Sequence, residues 1–220
     1  MGSPARRAKR KRDGLGNWRL VRYADDFVLL VSGDSHHAEA LREEVSAILT
    51  PLGLRLAPEK TRVVHIDEGF DFLGFHIRRM RKRGTNKHHV YTTPSRKSVQ
   101  KVRDRVRDKT YRSTLNTDLD ELIASLNQSL RGWANYFRHG VSKATFDTVD
   151  NHAWLRLVGW IRRKHRNISR KQLRRRFCNR GWRIAHNGVE FTGASSVAVT
   201  RYRYRGANIP TPWTQAATSS

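Results

Sequence analysis

The sequence has a single cysteine, Cys178, among its 220 residues. A disulfide within the chain is therefore impossible, and cysteine-based zinc sites are excluded. Acid is scarce as well: 19 Asp and Glu stand against 44 Lys and Arg, a formal charge of +25. No apolar run approaches the ~18 residues that crossing a bilayer takes. The first twelve residues hold Arg6, Arg7, Lys9, Arg10, Lys11 and Arg12 and no apolar stretch, unlike a secretory signal. A soluble, reducing compartment, the cytoplasm, is expected. There is no phosphate-cradling glycine loop, no Ser-His or Cys-His nucleophile pattern and no internal repeat. The ten histidines include the adjacent pairs His36-His37 and His88-His89, without the Glu-x-x-His or Cys companions of a metal site. They read as surface histidines near basic loops.

What is present is enough apolar and aromatic material for a core: 37% hydrophobic residues, including six Trp, six Tyr and eight Phe. The length suits one or two domains. A charge of +25 on 25.5 kDa works against compaction unless a polyanion neutralises it. Nucleic acid is the first candidate and an anionic membrane the second. Basic residues interleave with aromatics at Trp133, Tyr136, Phe137 and Arg138, and again at Trp154, Arg156, Trp160 and Arg162, a pattern that favours nucleic acid.

The organisation changes along the chain. Residues 1–16 form a basic, glycine-punctuated arm, expected to be disordered or the remnant of a longer loop. Leu20–Tyr23 and Phe27–Val31 are short β-prone runs on either side of Ala24-Asp25-Asp26, which predicts a hairpin. Asp34 or Ser35 starts a helix carrying Leu41, Val45, Ile48, Leu49 and Leu52, ended by Pro51 and Gly53. Leu54–Leu56, Arg62–Ile66 and Phe70–Ile77 read as strands, Arg78–Lys87 as a basic turn and His88–Thr92 as a returning strand. At Thr93-Pro94-Ser95 the apolar period lengthens to ~3.6. Val99, Val102 and Val106 mark one helix; Leu119, Leu122, Ile123, Leu126, Leu130 and Trp133 a second; Phe146, Val149, Ala153, Leu157, Trp160 and Ile161 a third. Gly132 and Gly140 are expected near helix ends, and a shorter helix covers Lys171–Phe177. In Arg201–Arg205 the alternation of Arg and Tyr predicts a strand.

Tyr23-Ala24-Asp25-Asp26-Phe27 is the sharpest feature. Neighbouring side chains on a strand face opposite ways, so two adjacent carboxylates share a site only where a turn breaks the alternation. Raised on such a turn they suit Mg²⁺, which takes one or two carboxylates and completes its shell with phosphate and water. An ordinary Asp-rich turn has the same composition. The segment Arg22-Tyr23-Ala24-Asp25-Asp26-Phe27 resembles the catalytic hairpin of reverse transcriptases, in the form found in group II intron-encoded reverse transcriptase/maturases. In order after it, Leu54-Arg55-Leu56-Ala57-Pro58-Glu59-Lys60-Thr61 is similar to the family's next palm motif. Phe70-Asp71-Phe72-Leu73-Gly74-Phe75 resembles its primer grip. Leu130-Arg131-Gly132-Trp133-Ala134-Asn135-Tyr136-Phe137 resembles the maturase-specific domain X.

The resemblance implies an α+β fold: a partial palm of antiparallel strands with a helix (17–92), an α-helical thumb/maturase module (93–177) and a basic, β-rich tail (178–220). It implies RNA-directed DNA synthesis, a nucleotidyl transfer of mobile elements, with a two-metal Mg²⁺ site, and intron RNA binding that assists splicing. Asp25 would be a metal ligand and Asp26 its neighbour with a weaker role. Tyr23 and Ala24 would line the nucleotide site, and Phe72, Leu73 and Gly74 the primer site. Lys60 would be an acid near the departing pyrophosphate, or else a phosphate-contacting or solvated lysine. Phe72–Phe75 also reads as a buried strand whose Gly74 admits close backbone approach. Arg131, Arg138, Lys143, Arg156, Arg162, Arg163, Lys164, Arg174 and Arg175 would reach RNA phosphates, the RNA being a group II intron or an RNA/DNA primer-template duplex. Trp133, Tyr136 and Phe137 share a helix face and read as core before base-stacking residues. The family's earlier metal-binding Asp and its fingers would precede Tyr23, where the sole acid is Asp13 in a turn-like setting. The chain is thus expected to be the C-terminal portion of a longer enzyme, needing an N-terminal half to polymerise. A non-catalytic RNA-binding module with a vestigial half-palm, and a general basic DNA-binding protein, are the rival expectations.

Overall fold

In a computed structural model of the protein, residues 4–166 and 168–201 are described, Arg180 by its backbone alone. The elements run α1 (Pro4–Arg12), β1 (Asn17–Tyr23), β2 (Asp26–Ser32), α2 (Ser35–Leu49), β3 (Phe70–Phe72), β4 (Phe75–Arg81), β5 (His88–Pro94), α3 (Arg96–Lys109), α4 (Leu119–Phe137), α5 (Lys143–Lys164), α6 (Arg170–Phe177), β6 (Ala185–His186) and β7 (Val189–Glu190). The mixture of helices with small hairpin-linked sheets is the α+β composition expected. Two compact units result: residues 1–72 with 77–90, and residues 73–76 with 91–220. The strands β4 and β5 each run from one unit into the other.

In the first unit β1 and β2 pair antiparallel from Asn17↔Ser32 to Tyr23↔Asp26. Among the described residues this two-stranded sheet has no other neighbour. Trp18, Leu20, Val21, Phe27 and Leu30 are exposed, and among the described residues Leu41 of α2 is the one buried hydrophobic side chain of the unit. Asp34 precedes α2 in extended conformation, and its N–H donates to His37 Nδ1 at 3.1 Å.

Several expectations for this unit need correction, among them the basic turn over Arg78–Lys87, of which Arg78–Arg81 belongs to β4. The basic arm is not without structure, since Pro4–Arg12 is helical. Proline suits the first helical position, and Ala, Arg and Lys are good helix formers. The helix is anchored by the Arg10 guanidinium, which donates to the Gly16 carbonyl, and by Asn17 donating to the Arg7 carbonyl. Leu54–Leu56 and Arg62–Ile66 are not strands. The chain turns at Ala57–Lys60 and again at His65–Gly69, and no ladder forms beside these segments to make them strands. Phe70–Ile77 is not one strand but two, β3 and β4, split by Leu73 (φ +48) and Gly74 (φ +79).

The second unit is built on the apolar stripes read from sequence. Val102 and Val106 of α3, Leu122, Ile123, Leu126, Leu130 and Ala134 of α4, and Phe146, Val149, Ala153, Leu157, Trp160 and Ile161 of α5 form one buried cluster with Leu173 and Phe177 of α6. Ser95 caps α3, its hydroxyl accepting from Ser98 N–H at 3.2 Å. Ser169 and Gln172 form a reciprocal capping box at α6.

The segment beyond α6 joins this core through Ile184 and Ala194. Asn127 holds it, donating to the Glu190 carbonyl at 2.8 Å and accepting from Thr192 N–H at 2.9 Å. Asp150 accepts from Ala194 and Ser195 N–H at 2.6 and 2.8 Å. Gly193 (φ +67) is required here, because a Cβ would lie 2.5 Å from the Asp150 carboxylate. The strand expected at Arg201–Arg205 lies outside the described residues but for Arg201. Gly132 lies inside α4 rather than near its end, with open space where a Cβ would sit.

Two outcomes follow for stability. Leu126→Ala, at a fully buried site, should cost about 2–5 kcal/mol, whereas Gly132→Ala should stabilise by about 0.5–1 kcal/mol; denaturant melts measure both. In native-state hydrogen exchange, amides of α4 and α5 should exchange far more slowly than those of β1 and β2, as the contrast in buried apolar contact requires.

Candidate nucleic-acid interface

The hairpin turn is a two-residue loop, Ala24-Asp25. Ala24 takes φ +49, and Arg22 Nε donates to the Ala24 carbonyl at 2.8 Å. Asp26 is not in the turn, as expected from sequence, but opens β2 opposite Tyr23. Cross-strand partners share a sheet face, so Tyr23 and Asp26 lie together and Asp25 stands on the turn beside them. All three are exposed. Two adjacent exposed carboxylates fit one hard divalent ion whose shell phosphate and water complete. They do not by themselves fit a two-ion site, and among the described residues no group of three or more His, Cys, Asp or Glu is placed to hold a metal. Lys60 sits exposed in the turn after Ala57, and no hydrogen bond or ion pair joins it to Asp25 or Asp26.

Phe72 is half-buried at the end of β3. The next two residues belong to the helical unit. The Leu73 carbonyl accepts from the Tyr136 hydroxyl at 2.8 Å. The Gly74 carbonyl accepts from Ser95 N–H at 2.8 Å and from Ser98 Oγ at 3.0 Å. A Cβ on Gly74 would lie 2.9 Å from that hydroxyl, so the close backbone approach is real. Phe75 packs on Tyr136 and Phe137, with ring centroids 5.7 and 4.8 Å apart. Of the three aromatics sharing the α4 face, Phe137 is buried, Trp133 half-buried and Tyr136 exposed.

The basic residues fall into two groups. Arg131, Lys143, Arg162 and Arg175 are exposed. The others end on neighbours within the unit. Arg138 donates to Thr200 Oγ1 at 3.3 Å. Lys164 donates to the Thr117 carbonyl and lies over the Trp160 ring. Arg174 lies over the Trp182 ring, 5.3 Å from its centroid. Arg156 donates to Thr110 Oγ1 at 3.0 Å and to the Thr110 carbonyl at 3.3 Å, and Arg163 donates to the same carbonyl at 3.0 Å. Reading the sequence one helix at a time missed their neighbours on α3, Arg103 and Arg107. Their i, i+4 spacing, facing the His152 and Arg156 pair of α5, was the available signal.

Burial, and then the charges of Arg103, Arg156 and Arg107, hold His152 below the ordinary histidine value of 6.5. Burial, followed by Arg176 and Lys164, does the same to His165. Arg156 is lowered by burial, then by Arg163 and Arg107.

Two family models match in the order that the site suggests. Residues 4–77 match the reverse transcriptase (RNA-dependent DNA polymerase) family, and residues 99–182 match the group II intron, maturase-specific domain. The chain is thus similar to reverse transcriptases over its first third and to the maturase-specific domain of group II introns over its middle. Among curated relatives, Protein YkfC of Escherichia coli (strain K12) is 45% identical over 89 residues, covering 37% of this chain and 23% of that protein. Group II intron-encoded protein LtrA of Lactococcus lactis subsp. cremoris is 31% identical over 144 residues, covering 54% of this chain and 24% of that protein. The chain thus matches about a quarter of the length of these relatives. The maturase-specific match takes in most of α3 and all of α4 to α6, and the Asp25-Asp26 hairpin lies within the reverse transcriptase match.

The histidine shifts set a pH dependence. A histidine whose folded pKa is depressed gives stability that is complete above 6.5 and lost as pH falls through the folded value. The melting temperature should therefore drop between about pH 7 and about pH 5. The His152→Gln, His165→Gln double variant should show a shallower drop in circular-dichroism melts.

Proposed function

We propose that this chain grips structured group II intron RNA through its thumb/maturase helices, and that the palm hairpin takes part in RNA-templated DNA synthesis in an intact enzyme. The observation that carries the reading is the cationic surface of the maturase-matching helices: Arg131, Lys143, Arg162 and Arg175 stand exposed within residues matching the maturase-specific domain. A-form RNA offers mostly phosphate, 2′-hydroxyl and shape to side chains, which suits arginine-rich helices. Binding would favour the splicing-competent fold of the intron, with the RNA doing the splicing chemistry. The domain assignments that go with this are a half-palm over 17–92, a thumb/maturase module over 93–177 and a basic tail over 178–220. A cytoplasmic location is part of the reading; no helix among the described residues is long and apolar enough to cross a membrane.

For DNA synthesis, Asp25 would hold a Mg²⁺ ion with Asp26 beside it, the ion supplying charge stabilisation at the transferring phosphate. Tyr23 and Ala24 would shape the nucleotide side of the hairpin. Phe72, Leu73 and Gly74 would support the primer of an RNA/DNA duplex, their backbone fixed by Tyr136, Ser95 and Ser98. Lys60, exposed on its turn, would donate a proton to the leaving pyrophosphate or contact its phosphates.

A second reading, an RNA-binding maturase-like module without catalysis of its own, is favoured by one observation: the hairpin offers two carboxylates, short of a two-ion site. Both readings predict that this chain alone gives no primer extension with Mg²⁺. They separate when a polypeptide carrying the remaining palm acid and the fingers is added. Templated extension abolished by Asp25→Asn supports the enzyme, and none supports the module. RNA binding itself is tested by filter binding. A group II intron RNA should outcompete duplex DNA of equal length at matched salt, and equal affinity would mean a general basic DNA-binding protein instead.

A further inference from the structure

One group of cations crowds together between two helices. Arg103 and Arg107 on α3 face His152, Arg156 and Arg163 on α5. Arg156 and Arg163 both end on the Thr110 carbonyl, which sets two guanidinium groups side by side. Arg156 also reaches the Arg107 carbonyl at 3.4 Å. Like charges this close repel, and Thr110 is fully buried beneath them. The compensation within the fold is thin. Among the described residues, the one ion pair in the group is Arg107 with Asp104, at 3.0 Å. Acceptors run short as well: Arg103 Nε is buried with no partner, as is His152 Nε2. Arg107 and Arg163 are exposed, so the concentration of charge is open to a ligand.

We propose that this α3–α5 arginine group is a discrete phosphate seat, taking one phosphate between the outer guanidinium ends of Arg107 and Arg163, with Arg156 behind. Guanidinium pairs match phosphate oxygens in fork geometry. Several of them around one phosphate relieve a repulsion that the fold otherwise carries alone. The seat rests on the reading above for its source: the phosphate is a phosphodiester of the gripped RNA, and a free phosphate is the other source of the same chemistry.

Two measurements on the full chain test it. In the first, inorganic phosphate is compared with chloride at equal ionic strength in thermal melts. Phosphate should raise the wild-type melting temperature by about 2–4 °C at saturating concentration. The rise should be absent in the Arg107→Gln, Arg163→Gln double variant and retained in Arg42→Gln, which removes a charge from α2. No rise in wild type, or the same rise in the double variant, overturns the seat. In the second, RNA affinity is followed between about 50 and 200 mM salt. The slope of log affinity against log salt should be shallower by about one in the double variant than in Arg42→Gln. An unchanged slope with the phosphate rise intact assigns the seat to free phosphate. Loss of all RNA binding in wild type, with the phosphate rise intact, removes the RNA reading and leaves the seat.

Discussion

A chain with 44 cations and 19 anions cannot neutralise itself by ion pairs, and the fold is shaped by where the surplus goes. Much of it ends on backbone carbonyls. Arg10 donates to Gly16, Arg22 to Ala24, Arg78 to Asp67, Arg81 to Thr85, Arg156 and Arg163 to Thr110, and Lys164 to Thr117. Some ends on aromatic faces, as with Arg170 and Arg174 over Trp182. Carbonyls and rings orient a cation without cancelling its charge. Each such contact fixes a side chain in place and leaves its field open to an external polyanion.

Stability has to come from elsewhere, and it comes from the dry seam of α4 and α5. Ile123, Leu126, Leu130, Ala153, Leu157 and Trp160 are fully buried there, and α3, α6 and the segment through Ala194 close around them. The first unit has no such seam. Its hairpin leaves Trp18, Leu20, Phe27 and Leu30 exposed, although it carries the acidic pair that a polymerase needs. Apolar surface of this kind is a feature of interfaces. The unit that carries Asp25 and Asp26 is thus the one with least of its own core, while the helical unit holds a continuous one.

Helical periodicity was legible because α4 and α5 bury one continuous stripe each; the residues named there from spacing are core except the half-buried Trp133, whereas Ile48 and Leu52, named for the helix after Asp34, are exposed. The hairpin at Tyr23–Asp26 was legible from two β-prone runs and an acidic break. Less visible was whatever depends on a partner outside the segment. Leu54–Leu56 and Arg62–Ile66 have strand composition, yet a strand exists only beside another. The break at Leu73-Gly74 was hidden because Leu73 adopts a left-handed conformation that its residue type does not announce; the Tyr136, Ser95 and Ser98 bonds that hold it come from distant sequence. Arg103 and Arg107 were passed over for the same reason, since their significance arises across two helices. The basic arm was misread because its charge suggests a solvated chain, while Pro4 and the alanines favour a helix.

Hydrogen exchange of the full chain, with and without a group II intron RNA, tests the central claim most directly. If the surplus charge of α3 to α6 is what the RNA neutralises, added RNA will slow exchange across the ends and exposed faces of those helices, and the effect will fade as salt rises. Slowing confined to β1 and β2, or slowing over the helices that salt does not diminish, would contradict an account built on uncancelled cations.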